Sequence, residues 1–172
     1  MSTPTIQLKV YDISPDLLLE VTSDDIDEIA RMWNFFQGGV SLEEAHGALA
    51  YMTKNHARNE KGPFYHLCLA VCKKDTPQQI WGWCGLDGKE HPERPEVFVL
   101  LHESIRGKGY GTQCVQALLA YAFEAAGLNS VHGGCDKQNL ASAKMMLKAG
   151  MRHYSNAENG DPLFIAVAAP EK

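Results

Sequence analysis

Arg106-Gly107-Lys108-Gly109-Tyr110-Gly111-Thr112 sets three glycines at alternate positions between an apolar run and a helical pattern. Before it, Val97-Phe98-Val99-Leu100-Leu101 reads as a buried strand. After it, Val115, Leu118, Leu119, Ala122 and Phe123 recur at helical spacing through about Ala126. The helix from about 110 to 126 is therefore expected to pack on the strand 97–101. Glycine tolerates positive φ and close backbone approach. A helix that opens on such a turn points unpaired amide N–H groups outward, with its dipole behind them. That combination suits an anion, most often a phosphate. Arg106 and Lys108 flank the turn and argue for phosphate over a plain surface loop. The spacing matches neither the P-loop nor the G-x-G-x-x-G dinucleotide fingerprint, which disfavours a flavin or nicotinamide oxidoreductase.

Outward from this stretch, the chain alternates short strands and helices. Ile6, Leu8 and Val10 alternate with polar residues, so 5–11 reads as a strand. Ser14-Pro15-Asp16 has the chemistry of a helix start for residues 17–21. Ile26, Ile29, Ala30, Trp33 and Phe36 share one helical face, closed by Gly38-Gly39. Ser41-Leu42-Glu43-Glu44 has capping-box spacing and opens a helix to about Ala57. Residues 64–72 and 80–86 read as a hairpin around a turn at Asp75-Thr76-Pro77, with Gly82 and Gly85 marking bulges or close backbone contacts. The charged 87–95 segment is an exposed loop. Strands are expected at 131–136, 151–154 and 163–168, and a helix at 139–149 closed by Gly150.

Composition narrows the function classes. The 172 residues fit a single domain over 1–172, without repeats or linkers. A net charge of −5 argues against a nucleic-acid partner. No stretch reaches transmembrane length and the first residues lack an apolar signal core, so neither a membrane nor export is expected. The five cysteines have no C-x-x-C pair, which disfavours a metal site or a disulfide framework. They fit buried thiols in a reducing cytoplasm. A homodimer is the commonest assembly open to such a chain.

The glycine stretch resembles the pyrophosphate loop of the GCN5-related N-acetyltransferases (GNAT), written Q/R-x-x-G-x-G/A, with Arg106, Gly109 and Gly111 at its fixed positions. Asn139-Leu140-Ala141-Ser142 followed by Lys148-Ala149-Gly150-Met151 is similar to a second segment of that family. With the Ser41 helix start, the nearest subgroup is the RimJ/RimL-like branch, and the similarity covers most of the chain. The resemblance implies a GNAT-like α/β (α+β) fold: a mixed, mostly antiparallel sheet of six or seven strands with helices on both faces. It implies acetyl-CoA as the donor and a primary amine as the acceptor, either a peptide N-terminus or a small molecule. It also implies that the amides of Gly107, Lys108, Gly109, Tyr110, Gly111 and Thr112 hold the pyrophosphate. Leu100 and Leu101 would pair with the pantetheine arm and polarise the carbonyl, and Asn139 would bond that arm.

Acetyl transfer needs a neutral amine, an oxyanion donor and an acid for the departing thiolate. Glu96, at the start of the core strand, is the leading base candidate, with His102 second because its pKa lies nearest neutral. Ser142, one turn beyond Asn139, is the side chain expected near the sulfur. Many members of the wider family carry a tyrosine acid where this chain has Met146, so the acid lies among Ser142, Tyr154 and water. The missing tyrosine is also the one feature that favours a catalytically silent acyl-CoA-binding module. Acidic residues 24, 25, 27, 28, 43 and 44 fit helix N-termini better than a cation trap. His66 and His91 read as a strand-face and a loop histidine.

Overall fold

A computed structural model describes residues 6–10, 43, 57–60 and 63–170. Their strands are β1 (Ile6–Val10), β2 (His66–Lys73), β3 (Thr76–Asp87), β4 (Glu96–Leu101), β5 (Ser130–Gly134), β6 (Arg152–Asn156) and β7 (Pro162–Val167). They form one seven-stranded sheet in the order β1-β2-β3-β4-β5-β7-β6. Every neighbouring pair is antiparallel except β4 with β5. The helices beside the glycine stretch are α1 (Tyr110–Ala120) and α2 (Leu140–Lys148). This is the mixed, mostly antiparallel α/β architecture read from the sequence. The helices expected over 14–57 lie outside the described residues, apart from Glu43, which is helical.

Period-two alternation sorts the sheet into two faces. Leu67, Leu69 and Val71 of β2, Cys84 and Leu86 of β3, Val131 of β5 and Phe164 and Ala166 of β7 meet Cys114, Val115, Leu118 and Leu119 of α1. Met146 of α2 joins this core with only 2% of its surface exposed. The residue standing where many members of the resembling family carry a tyrosine acid is thus structural. On the opposite face Ala70, Cys72, Ile80 and Trp83 are buried, whereas Glu96 and Leu100 are exposed.

Two local expectations are corrected. The hairpin turns at Lys74-Asp75, and Thr76 and Pro77 belong to β3. Two register shifts absorb the longer β3: Val71 faces Gly82 but Cys72 faces Ile80, and Lys73 then faces Thr76, which leaves residues 77–79 without partners in β2. Gly82 and Gly85 are close-contact sites: a Cβ on Gly85 would meet the Phe98 ring. The regular part of the long helix ends at Ala120, and Tyr121–Ala125 widens into a π-helical turn. There the Ala126 amide donates to Tyr121 O, 2.9 Å away. Gly127, at φ +63°, closes the segment.

Candidate active site

The central geometric fact is a parting of strands. β4 and β5 share one register pair, Glu96 with His132, supported by a 2.9 Å bond from the His132 amide to Pro95 O. Beyond it they diverge, and the β5-facing edge of Val99–Leu101 is left uncovered by the sheet. Leu100 is 42% exposed although it lies in a central strand. The mouth of this split is a cleft of about 570 Å³. Val99, Leu100 and Leu101 form one wall. Arg106, Gly107, Gly109, Gly111 and Thr112 form the floor, and Asn139, Ala141, Ser142, Lys144, Met145 and Lys148 the other wall.

The glycine stretch is built as an anion cradle. After a 3₁₀ turn over Glu103–Ile105, whose Ile105 is buried as an anchor, Gly107 and Gly109 take φ of +72° and +86°. A Cβ at either position would meet nothing within 4 Å, so their Cα faces open space. Gly109 is the N-cap of α1 and offers no capping side chain, and the first turn holds no acid. The first intrahelical bond runs from the Gln113 amide to Gly109 O, 3.1 Å away. The amides of Tyr110, Gly111 and Thr112 therefore lack intrahelical acceptors. Tyr110 is 3% exposed: its ring fastens the helix start while its amide serves the turn. Gly111 has a different reason to be glycine, since a Cβ there would lie 2.5 Å from Met145 Sδ of α2.

The cations are not all where the sequence suggested. Arg106 lines the cleft, steadied by a 2.8 Å bond from Nε to Leu101 O. Lys108 Nζ donates to Ser104 O at 2.8 Å, and Lys108 does not line the cleft. Lys144 and Lys148 of α2 do. They are one helical turn apart on the helix expected at 139–149, but the sequence reading brought only Asn139 and Ser142 of that helix to the cofactor and not these two lysines. Among the described residues the lining carries three cations and no carboxylate, in a chain of net charge −5. A polyanion would be drawn here against the overall charge.

Asn139 caps α2, its Oδ1 accepting from the Ser142 amide at 3.1 Å, and half-buried Ser142 lines the cleft beside it. Glu96 is exposed where β4 and β5 part. His102 sits past the other end of β4, where its Nδ1 accepts from the Ser104 amide at 3.2 Å and contacts Ser104 Oγ at 2.8 Å. His66 stacks on Phe98, with Asp87 Oδ1 3.7 Å from its Nδ1. His91 is an exposed loop residue, 3.7 Å from Glu93. The sequence reading overlooked His132, a buried imidazole on β5 whose backbone position is the register partner of Glu96. Its apolar and glycine neighbours on a short strand gave no motif to find it by. Burial raises the thiol pKa of Cys68 to about 12, opposed by Lys89. Cys84 is raised by its hydrogen bond to Cys114 and by burial.

A split sheet whose opening ends in an amide cradle is the architecture of an enzyme that binds a nucleotide-bearing acyl carrier. The acetyltransferase (GNAT) domain model matches residues 17–152, and the chain belongs to that family of acetyl-CoA-dependent acyltransferases. The uncharacterized N-acetyltransferase YnaD of Bacillus subtilis (strain 168) is 32% identical over 57 residues. That match spans 33% of this chain and 34% of the relative, about a third of its length. Among solved structures, the ribosomal-protein-S5-alanine acetyltransferase of Vibrio fischeri superposes with a TM-score of 0.72 at 17% identity, covering 100% of this chain and 98% of the other. Campylobacter jejuni N-acetyltransferase PseH, in complex with acetyl coenzyme A, gives 0.65 at 15% identity, covering 96% and 100%. At these identities the two structures share the fold with this chain.

Proposed function

We propose that this enzyme moves the acetyl group of acetyl-CoA to a primary amine by direct attack, without an acyl-enzyme intermediate. The observation that carries the reading is the continuity of one cleft, from the amide cradle and its three cations to the uncovered edge of β4. Acetyl-CoA supplies the activated thioester. The amides of residues 107–112, with Arg106, Lys144 and Lys148, bind its phosphates. The edge of β4 near Leu100 and Leu101 offers backbone groups to the pantetheine amides and a donor to the carbonyl oxygen. Asn139 and Ser142 flank the arm from α2, with Ser142 offering a side-chain hydroxyl to the sulfur. Glu96, exposed at the β4–β5 pair and outside the cleft lining, is the carboxylate that draws a cationic amine toward the split. We place the enzyme in the cytoplasm, where thiols such as Cys84 and Cys114 stay reduced.

A peptide N-terminus is the favoured acceptor, a reading supported by fold neighbours that act on ribosomal proteins. The test is mass spectrometry of acetyl-CoA reactions with alanine- and serine-initiated peptides, polyamines and blocked peptides bearing only a lysine amine. One acetyl group gained by free N-termini and not by blocked peptides supports the reading. Acetylation confined to polyamines contradicts it.

A further inference from the structure

We propose that Lys144 and Lys148 of α2 form a second anion site in the cleft, which holds the ribose 3′-phosphate of acetyl-CoA and selects this donor over acyl carriers that lack the group. This rests on the acetyltransferase reading above and divides the cofactor's phosphates between two sites. Both lysines line the cleft, on the wall opposite β4. With Ala141 and Met145 they occupy positions i, i+3, i+4 and i+7 of α2, the helix face turned to the cleft. Met146 leaves the other side of the helix for the core.

Packing fixes where this face stands. A Cβ on Gly111 would lie 2.5 Å from Met145 Sδ, so the glycine lets α2 approach the first turn of α1. Lys144 precedes Met145 and Lys148 follows it by one turn, so the pair flanks the contact with the helix that carries the amide cradle. The protein does not neutralise this pair. Among the described residues neither lysine makes an ion pair or a hydrogen bond. The chain has 21 acidic residues against 16 basic ones, so the gap is not for want of carboxylates, yet α2 carries none. Like charges four residues apart on a helix repel. Lys148, in the last turn, gains from the helix dipole, but Lys144 in mid-helix does not.

Phosphate chemistry sorts the cofactor's groups between the two sites. Each phosphorus of a diphosphate bridge carries a single negative charge, on oxygens that amide N–H groups can bond. The cradle of α1, beside an Arg106 tied to Leu101 O at 2.8 Å, suits that group. A phosphate monoester carries about −1.5 to −2 at pH 7 and calls for whole positive charges. Side chains four residues apart on a helix start about 5–6 Å from each other, so two ammonium groups can reach two oxygens of one phosphate. Lysine is a point charge on a flexible stem, which fits a group held at the open rim, where both side chains are exposed. Acetyl-CoA carries one anion of each kind.

The test measures CoA and 3′-dephospho-CoA by calorimetry at low ionic strength, with wild type, Lys144→Gln/Lys148→Gln and Lys144→Glu/Lys148→Glu. We expect wild type to prefer CoA by about 2- to 30-fold, as two exposed charge pairs would give. The glutamine variant should bind both ligands alike, its loss confined to CoA, and the glutamate variant should prefer 3′-dephospho-CoA. Equal wild-type affinity for the two ligands, or a preference that survives in the glutamine variant, would overturn the assignment. Phosphorus NMR of CoA bound to wild type is the second measurement and needs no variant. Two ammonium groups favour the dianion, so the monoester resonance should titrate at lower pH than in free CoA. An unshifted titration overturns the proposal even if both variants misfold. Absence of any CoA binding would sink the acetyl-CoA reading and this proposal with it, whereas equal binding of the two ligands sinks the proposal alone.

Discussion

Gly109→Val separates backbone strain from occlusion of the cradle. At φ +86° a residue with a Cβ pays about 1–2 kcal/mol for the left-handed conformation, and a β-branched one more. The protein should therefore lose about 1–3 kcal/mol of stability. For a chain of 172 residues each kcal/mol lowers Tm by about 2–4 °C. The space in front of that Cα is open to 4 Å, and it is where the account puts the pyrophosphate. Two methyl groups there would hold phosphate away from the amides of Tyr110 to Thr112. Two lost charge-assisted hydrogen bonds, at about 1.5–3 kcal/mol each, amount to about 3–6 kcal/mol. That is about 10²- to 10⁴-fold in Kd. Gly127→Val is the control: φ is +63°, the space is equally open, and Gly127 lies past the far end of the same helix. Calorimetric titration of CoA alongside thermal melts should show similar destabilisation in both variants, with affinity lost only at 109. Wild-type affinity in a folded Gly109→Val protein would refute the placement.

The Lys144→Gln/Lys148→Gln double variant should weaken CoA about 2- to 30-fold and flatten the salt dependence of Kd, since each exposed charge pair contributes about 0.2–1 kcal/mol. Lys108→Gln, whose ammonium is tied to Ser104, should change Kd less than twofold or so on the same scale; calorimetry at two ionic strengths checks both. Gly111→Ala should cost about 1–3 kcal/mol in urea unfolding by pressing on Met145, with any loss of CoA affinity following only from that shift. The His132 pKa is lowered on folding, so its contribution to stability is complete above pH 6.5 and declines as pH falls toward the folded value. The urea midpoint should drop over that window in wild type and drop less in His132→Gln. Among the described residues Glu96 is the neighbour that raises this pKa, so Glu96→Gln should move the His132 ring titration, read by NMR, to lower pH.

Among the described residues, sequence periodicity located the strands and the helices that start near 110 and 140 because their apolar faces are packed against one core. Val115, Leu118 and Leu119 point where their spacing said they would. The anion cradle was legible for a similar reason, since only glycine suits Gly107 and Gly109. What escaped the sequence depends on tertiary placement. Lys108 and Arg106 look alike in the chain, but only one lines the cleft. Gly111 serves helix packing, which only the position of Met145 reveals. His132 stands out because β4 and β5 stay paired at its own position and at no other, and no local pattern encodes where two strands separate. The hairpin turn moved because the irregularity opposite Cys72 and Lys73 leaves Pro77 without a register partner, so it sits in β3 without a ladder bond to break.

The central claim is that this cleft delivers an acetyl group to an amine. Continuous detection of free thiol from acetyl-CoA, with and without an amine panel, tests it most directly. The account predicts thiol release that rises with amine concentration, matches acetylated product one for one, and disappears in Gly109→Val. Tight acetyl-CoA binding with no amine-dependent release across the panel would contradict it and leave a silent acyl-CoA-binding module.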